Sequence, residues 1–248
     1  MTIKPFVIMQ LRPETEAADE EFESLVRRAE LSREQVRRIR LDQEDLSAEI
    51  DLGAISGVIV GGGPGCVSDQ PDQKTPLEAR IEAQILGLMP RIIAENVPFL
   101  GCCYGIGILG KHLGAPVSKD WHGEPIGPIT CTRRPESAGD PLLDGLPEQF
   151  TALVGHKEAL DALPPGAVHL LEGTRCPIQM LRVGHAYATQ FHPEADGKSF
   201  ALRIRVYRDK GYFHPDEADR LLAACADIST DLSGRILSNF TRHYARPD

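Results

Sequence analysis

Long hydrophobic runs are missing: nowhere does the 248-residue chain hold about 18 consecutive apolar residues, the length a bilayer-spanning helix needs. Insertion in a membrane is excluded as the main description. Positive charge is also short, with 27 Lys and Arg against 36 Asp and Glu and a net charge of −9, the wrong sign for a general nucleic-acid binder. There is no CxxC pair. The six cysteines (Cys66, Cys102, Cys103, Cys131, Cys176, Cys225) are scattered, which fits neither a disulfide framework nor a zinc site. Residues Met1 to Leu11 lack the basic, apolar and small-residue zones of a signal peptide, so the expected compartment is a reducing cytoplasm. There a cysteine that matters does so as a thiolate. No metal constellation, internal repeat or low-complexity segment is present either.

What is there is globular: 42% hydrophobic and 25% charged residues, in a length that predicts one large domain or one domain with an appendage. Apolar β-branched runs alternate with helical patterns, the signature of an α/β fold with a mostly parallel sheet covered by helices. Strands are expected at Phe6 to Leu11, Val36 to Arg40, Gly57 to Val60 and Val97 to Leu100. Helices are expected at Ala17 to Leu31, Thr75 to Glu95 and Tyr104 to His112, with a turn region after Arg40. From Pro116 to Leu153 the pattern breaks into short β-like pieces, which predicts antiparallel strands added to an edge. Phe150 to Val154 and His185 to Phe191 are further apolar segments. After Asp196 the chain is predicted helical. Pro215 opens one helix, and Leu232, Ile236, Phe240 and Tyr244 form an i, i+4 stripe on the last. The expected division is residues 1–195 as the α/β domain and 196–248 as a helical extension packed on it.

Three features carry chemistry. Phe99-Leu100 runs into Gly101-Cys102-Cys103-Tyr104-Gly105 and then a helix, the cysteine counterpart of the G-x-S-x-G nucleophile elbow. Flanking glycines permit the sharp turn, and the helix N-terminus favours a thiolate at Cys103. The competing reading makes both cysteines small core hydrophobes; for Cys102 that reading wins. A nucleophile needs a base and the base an orienting partner. In Phe191-His192-Pro193-Glu194, imidazole and carboxylate project to one side of an extended segment. His156, with Glu158 two residues on, is the second choice, and His185 is weaker. Third, Gly61 to Gly65 follow a strand and offer backbone N–H groups for an oxyanion, with the Tyr104 N–H as natural partner. Lacking the Lys and hydroxyl of a P-loop and carrying Pro64, these glycines are not a phosphate cradle.

Together, Gly62-Gly63-Pro64, the Cys103 elbow, the Gly155-His156 segment and Gln190-Phe191-His192-Pro193-Glu194 resemble the class I glutamine amidotransferases in order and spacing, over roughly residues 1 to 195. The resemblance implies a flavodoxin-like fold. It implies Cys103, His192 and Glu194 as catalytic residues, and Gly63 and Tyr104 as the oxyanion hole. The implied reaction is hydrolysis of the glutamine side-chain amide through a cysteine thioester, with ammonia passing to a separate synthase subunit or to solvent and no cofactor required. Two departures touch the substrate side. Members of the family carry Gln where this chain has Gly107, and their Ser-His-Gly-Asp-type segment is Gly155-His156-Lys157-Glu158 here. Gly107, His156 and Lys157 are therefore the substrate-binding candidates. A γ-glutamyl peptide or amide is the alternative substrate, and a binding module that has lost turnover is the alternative class. No nucleic-acid or membrane partner is expected, and no ATP-pyrophosphatase signature fits in the remaining residues.

Two further features get plain readings. Trp121, His122 and Glu124 border the pocket or, more simply, form a loop with a packed indole. The Arg27, Arg28, Arg33, Arg37, Arg38 and Arg40 cluster lies among acids and is expected to be a solvated face.

Overall fold

A computed structural model describes residues 2–46 and 50–248; residues 47–49 of the expected turn region lie outside the described residues. Strands β1 (Phe6–Gln10), β2 (Val36–Arg40), β3 (Gly57–Val60) and β4 (Phe99–Cys102) alternate with helices α1 (Thr15–Arg28), α2 (Pro76–Ala94) and α3 (Tyr104–His112). Beyond them come β5 (Val117–Ser118), β6 (Glu124–Arg133), β7 (Gln149–His156), β8 (Ala159–Leu160), β9 (Val168–Glu172), β10 (Met180–Val183) and β11 (Ala186–Thr189). Helices α4 (Gly197–Tyr207), α5 (Ala218–Cys225) and α6 (Asp231–Tyr244) complete the chain. The main sheet runs β2-β1-β3-β4-β11-β10-β9-β6-β7, and β5 pairs with β8 separately. Every neighbour pair from β2 to β11 is parallel, and every pair from β11 outward is antiparallel. The expected mostly parallel sheet with an antiparallel edge is the observed one.

Alternation along β1 shows how the sheet is covered. Phe6 and Ile8 face α1 and α6, in a core with Phe22, Leu25, Ile59, Leu100 and Phe240. Val7 and Met9 face α2 and α3, with Val58, Val60, Ile81, Ile85 and Ile106. Helix α2 starts where a capping box forms: the Thr75 hydroxyl accepts from the Glu78 amide and the Glu78 carboxylate accepts from the Thr75 amide, with Pro76 at the first helical position. On α6, Ile236, Phe240 and Tyr244 are buried as the stripe requires, but Leu232 is left exposed at the first turn, where Ser233 and Gly234 take the buried side. Pro215 opens a short 3-10 turn, Pro215–Glu217, that leads into α5. No helix among the described residues is long and apolar enough to cross a membrane.

Register sets the position of the site. Val60 pairs with Gly101, and Cys102 pairs with Thr189. The carboxyl ends of β3, β4 and β11 therefore lie side by side, and the segments that follow them, Gly61–Gly65, Cys103 and Gln190–Glu194, emerge together at one sheet edge.

Candidate active site

Cys103 stands between β4 and α3 with φ 54° and ψ −89°, a left-handed conformation that a non-glycine residue adopts at a cost. Its amide donates to the Thr189 carbonyl at 2.8 Å, and its carbonyl accepts from Ile106 at 3.1 Å. A Cβ on Gly101 would sit 2.8 Å from the backbone carbonyl of Gly105, so the first glycine of the elbow is needed for close approach. Cys102 points the other way, fully buried with Phe6 and Leu100. Cys103 is 7% exposed and lines a narrow cavity of about 20 Å³ with Gly63, Tyr104, Gly107, His156, Lys157, Glu158, Gln190 and Tyr212. The expectation of a thiolate-favouring elbow meets a difference here. Burial pushes the Cys103 thiol up to about 12, and the Arg12 guanidinium offsets only part of that. In this closed arrangement loss of water outweighs the helix N-terminus.

His192 and Glu194 are both buried. The His192 Nδ1–H donates to Glu194 Oε1 at 2.8 Å, which leaves Nε2 as the lone-pair nitrogen. A third side chain, absent from the sequence reading, joins them. Arg203 of α4 donates from Nη1 to the same Glu194 Oε1 at 2.9 Å and lies 3.2 Å from His192 Nδ1. The Phe200 ring meets the imidazole edge-on at 5.5 Å. Burial raises the Glu194 carboxyl, but His192 and Arg203 overcome it and hold it well below the usual carboxylate range. Burial also lowers the His192 pKa below its ordinary value; Glu194 opposes this, while Arg203 and Arg12 reinforce it.

The glycine loop is braced from α1. Buried Glu21 accepts from the Gly62 amide at 3.2 Å and from Arg12 Nε at 2.9 Å. A Cβ at residue 62 would lie 2.7 Å from His192 Cε1 and 2.8 Å from Arg12 Nη2, so glycine there lets the imidazole approach the loop. Among the described residues neither the Gly63 nor the Tyr104 amide donates a hydrogen bond to the protein.

His156 lies on the cavity wall but is already engaged. Nε2 bonds Glu124 Oε2 and Nδ1 bonds the Glu158 carbonyl, both at 2.9 Å. The Glu158 side chain turns away from the imidazole to accept from the Val67 and Ser68 amides at 2.8 and 2.9 Å and from the Ser68 hydroxyl at 2.6 Å. The i+2 spacing that made His156 the rival base thus pairs its ring with a different carboxylate. A Cβ on Gly107 would lie 2.8 Å from Val67 and 3.2 Å from Glu158 Oε1, so the loop braced by Glu158 stands where a larger residue at 107 would project. Gln190, which lines the cavity, has a buried Oε1 without a partner. One group of potential metal ligands does assemble among the described residues: Glu124, His156 and Cys176 lie within 4.8 Å of one another. The 2.9 Å His156–Glu124 bond and a 2.8 Å bond from Gln179 Nε2 to the same Glu124 oxygen already close that cluster as a hydrogen-bonded anchor.

Trp121 departs from its plain reading: the indole is 73% exposed rather than packed. Arg27, Arg28, Arg33 and Arg38 pair with Asp196, Asp231, Glu23 and Asp19 on the surface, but Arg40 departs from the expected solvated face: it is buried, paired with Asp42 and bonded to the Pro13 carbonyl.

The family model "Glutamine amidotransferase class-I" matches residues 16–204. The chain belongs to this family. It is 30% identical over 138 residues to a GMP synthase [glutamine-hydrolyzing] of Thermomicrobium roseum, covering 56% of this chain and 23% of that protein. It is 32% identical over 139 residues to the Thermus thermophilus enzyme of the same name, covering 55% and 24%. The chain thus spans about a quarter of the length of these curated relatives. A crystal structure of a glutamine amidotransferase from Thermotoga maritima superposes with a TM-score of 0.75 at 22% identity, covering 97% of this chain and 98% of that one. One from Methylobacillus flagellatus gives 0.70 at 19%, covering 100% and 98%. These two likenesses establish the fold of a class I amidotransferase over nearly the whole chain, helices α5 and α6 included.

Proposed function

We propose that the protein hydrolyses the side-chain amide of glutamine through a Cys103 thioester. The observation that carries this reading is the junction of β4 and β11: a strained cysteine and a histidine held by a buried carboxylate leave adjacent parallel strands, bonded through Cys103 N–H and Thr189 C=O. His192 Nε2 takes the thiol proton, and the Cys103 sulfur attacks the amide carbon. A C–S bond forms and the oxygen becomes an anion facing the free Gly63 and Tyr104 amides. The imidazolium gives its proton to the leaving nitrogen, the C–N bond breaks and ammonia departs. Water then loses a proton to His192 and attacks the thioester, which releases glutamate and restores the thiol. Glu194 stabilises the imidazolium at each stage, and Arg203 holds Glu194.

Ammonia goes to solvent or to an acceptor on a separate synthase subunit; the GMP synthase relatives, four times longer than the matched segment, carry further chain that this one does not match. Gly107, His156, Lys157, Glu158 and Gln190 form the amino-acid end of the cavity. The replaced 107 side chain and the Lys157-Glu158 pair favour a second reading, a γ-glutamyl peptide or amide as substrate with the same chemistry.

The test is turnover of glutamine, with ammonia release as the readout. Cys103→Ala is expected to abolish it and Cys102→Ala to leave it close to wild type. A glutamine-derived chloroketone is expected to label Cys103 alone. Turnover surviving in Cys103→Ala overturns the assignment, and a folded wild-type protein that neither turns over nor labels supports a binding module instead.

A further inference from the structure

The cavity around Cys103 is wide enough for about one water. A substrate amide cannot reach the sulfur unless a wall moves. Much of the wall is strand ends, the glycine loop and the N-terminus of α3, whose Tyr104 and Ile106 belong to one core. Lys157, in the turn after β7, is exposed; the other part of the wall outside the cores is Tyr212. It belongs to the connector between α4 and α5, beyond the residues matched by the family model, and its neighbours Arg208 to Gly211 are exposed.

Tyr212 is tied at both sides of the cavity. Its hydroxyl donates to the Gly155 carbonyl at 2.9 Å, Lys157 Nζ lies 4.8 Å over its ring, and the same Nζ donates to the Gly211 carbonyl at 3.2 Å. Toward β1, the connector is anchored by Tyr207, whose hydroxyl donates to Glu14 at 2.8 Å and whose ring lies 5.9 Å from that of Tyr212. Gly211 is left-handed at φ 71°, a position where glycine allows the chain to turn sharply just before the tyrosine. On its far side Tyr212 lines a second, open groove of about 490 Å³, shared with His156, Lys157, Arg175 and Arg220. The ring is therefore the partition between a closed thiol cavity and an open groove.

We propose that Tyr212 is a specificity-determining wall: its ring swings to admit a single amino-acid amide and, closed, excludes γ-glutamyl compounds that carry a second residue into the groove. This rests on Cys103 as nucleophile. The ties of the Tyr212 side chain are few, one hydrogen bond, one cation–ring contact and one ring–ring contact with Tyr207, so opening is local and leaves both cores intact.

The experiment uses the full chain with Tyr212→Ala and Tyr212→Phe. Two readouts are taken: the rate of Cys103 alkylation by iodoacetamide, followed by mass spectrometry, and kcat/KM for glutamine against γ-glutamylglycine. Tyr212→Ala is expected to alkylate about tenfold faster or more and to shift the preference toward γ-glutamylglycine by a similar factor. Tyr212→Phe, which keeps the ring but loses the Gly155 bond, is expected to alkylate at an intermediate rate with an unchanged preference. Unchanged alkylation in either folded variant overturns the wall, and faster alkylation without a shift in preference overturns its role in specificity. Failure of the Cys103 reading is separately visible as turnover retained in Cys103→Ala.

Discussion

A carboxylate removed from water is tolerated when other charges and donors surround it, and Glu194 meets that condition with one oxygen shared by His192 and Arg203 while the other has no partner. Arg203 therefore fixes the carboxylate and, as a cation 3.2 Å from His192 Nδ1, opposes the imidazolium. The charged groups facing His192 are Glu194 from its own segment, Arg203 from α4 and Arg12 from the loop after β1. Removing Arg203 takes away a cation, so imidazolium forms more easily and the His192 pKa rises. In Arg203→Met the acid limb of kcat/KM for glutamine is expected to move up by about one pH unit, at a cost of about 3–5 kcal/mol in stability for breaking a buried pair. Arg203→Lys keeps the charge and is expected to hold the limb near the wild-type position. A limb that stays fixed in both variants would show that Arg203 is a packing residue only.

The elbow is an element whose first glycine and cysteine are set by backbone geometry, while Gly105 would take a Cβ at ordinary contact distance, 3.7 Å from the Val60 carbonyl. Gly101→Ala forces a Cβ against the Gly105 carbonyl at 2.8 Å, where backbone has to move; a loss of about 1–3 kcal/mol is expected, together with loss of activity as Cys103 shifts. Gly87, exposed inside α2 with nothing within 4 Å of a Cβ, is the contrast: Gly87→Ala is expected to gain about 0.5–1 kcal/mol with activity unchanged. Thermal unfolding and ammonia release measure both. The elbow was legible in the sequence because strand, glycines and helix are contiguous; the His192-Glu194 pair was found by its spacing, but it meets across a turn closed by the Ala195 amide on the His192 carbonyl at 3.3 Å and not along the extended segment expected. Tyr212 and Arg203 were not legible. They lie 109 and 100 positions from Cys103, and a lone tyrosine or arginine in a helical tail carries no local signal of the cavity it reaches. Glu158 shows the opposite failure: the i+2 spacing was real, yet the Val67 and Ser68 amides offered its carboxylate better donors.

At the scale of the molecule, the site is a charged knot between two apolar cores. Arg12, Glu21, Glu194 and Arg203 are all buried and join the loop after β1, α1, the segment after β11 and α4. The mostly parallel sheet with its antiparallel edge was legible from alternating β and α patterns, while this knot depends on contacts across the sheet edge that no periodicity records. Its protonation sets the pH range of the fold. His192 sits below its ordinary 6.5 and Glu194 below its ordinary 4.5, so as pH falls past each value the unfolded chain binds the proton first and stability is lost. The thiols act in the other direction. Burial raises Cys103, Cys66 and Cys176 from 9.0 to about 12, so above pH 9 the unfolded chain loses protons that the folded chain keeps. Stability is therefore expected to be greatest between about pH 6.5 and 9 and to fall on both sides, more steeply on the alkaline side where several thiols contribute, each at about 1.4 kcal/mol per pH unit. Urea midpoints measured from pH 5 to 10 test this, and a midpoint constant across that range would mean that the knot and the buried thiols titrate alike in the folded and unfolded chains.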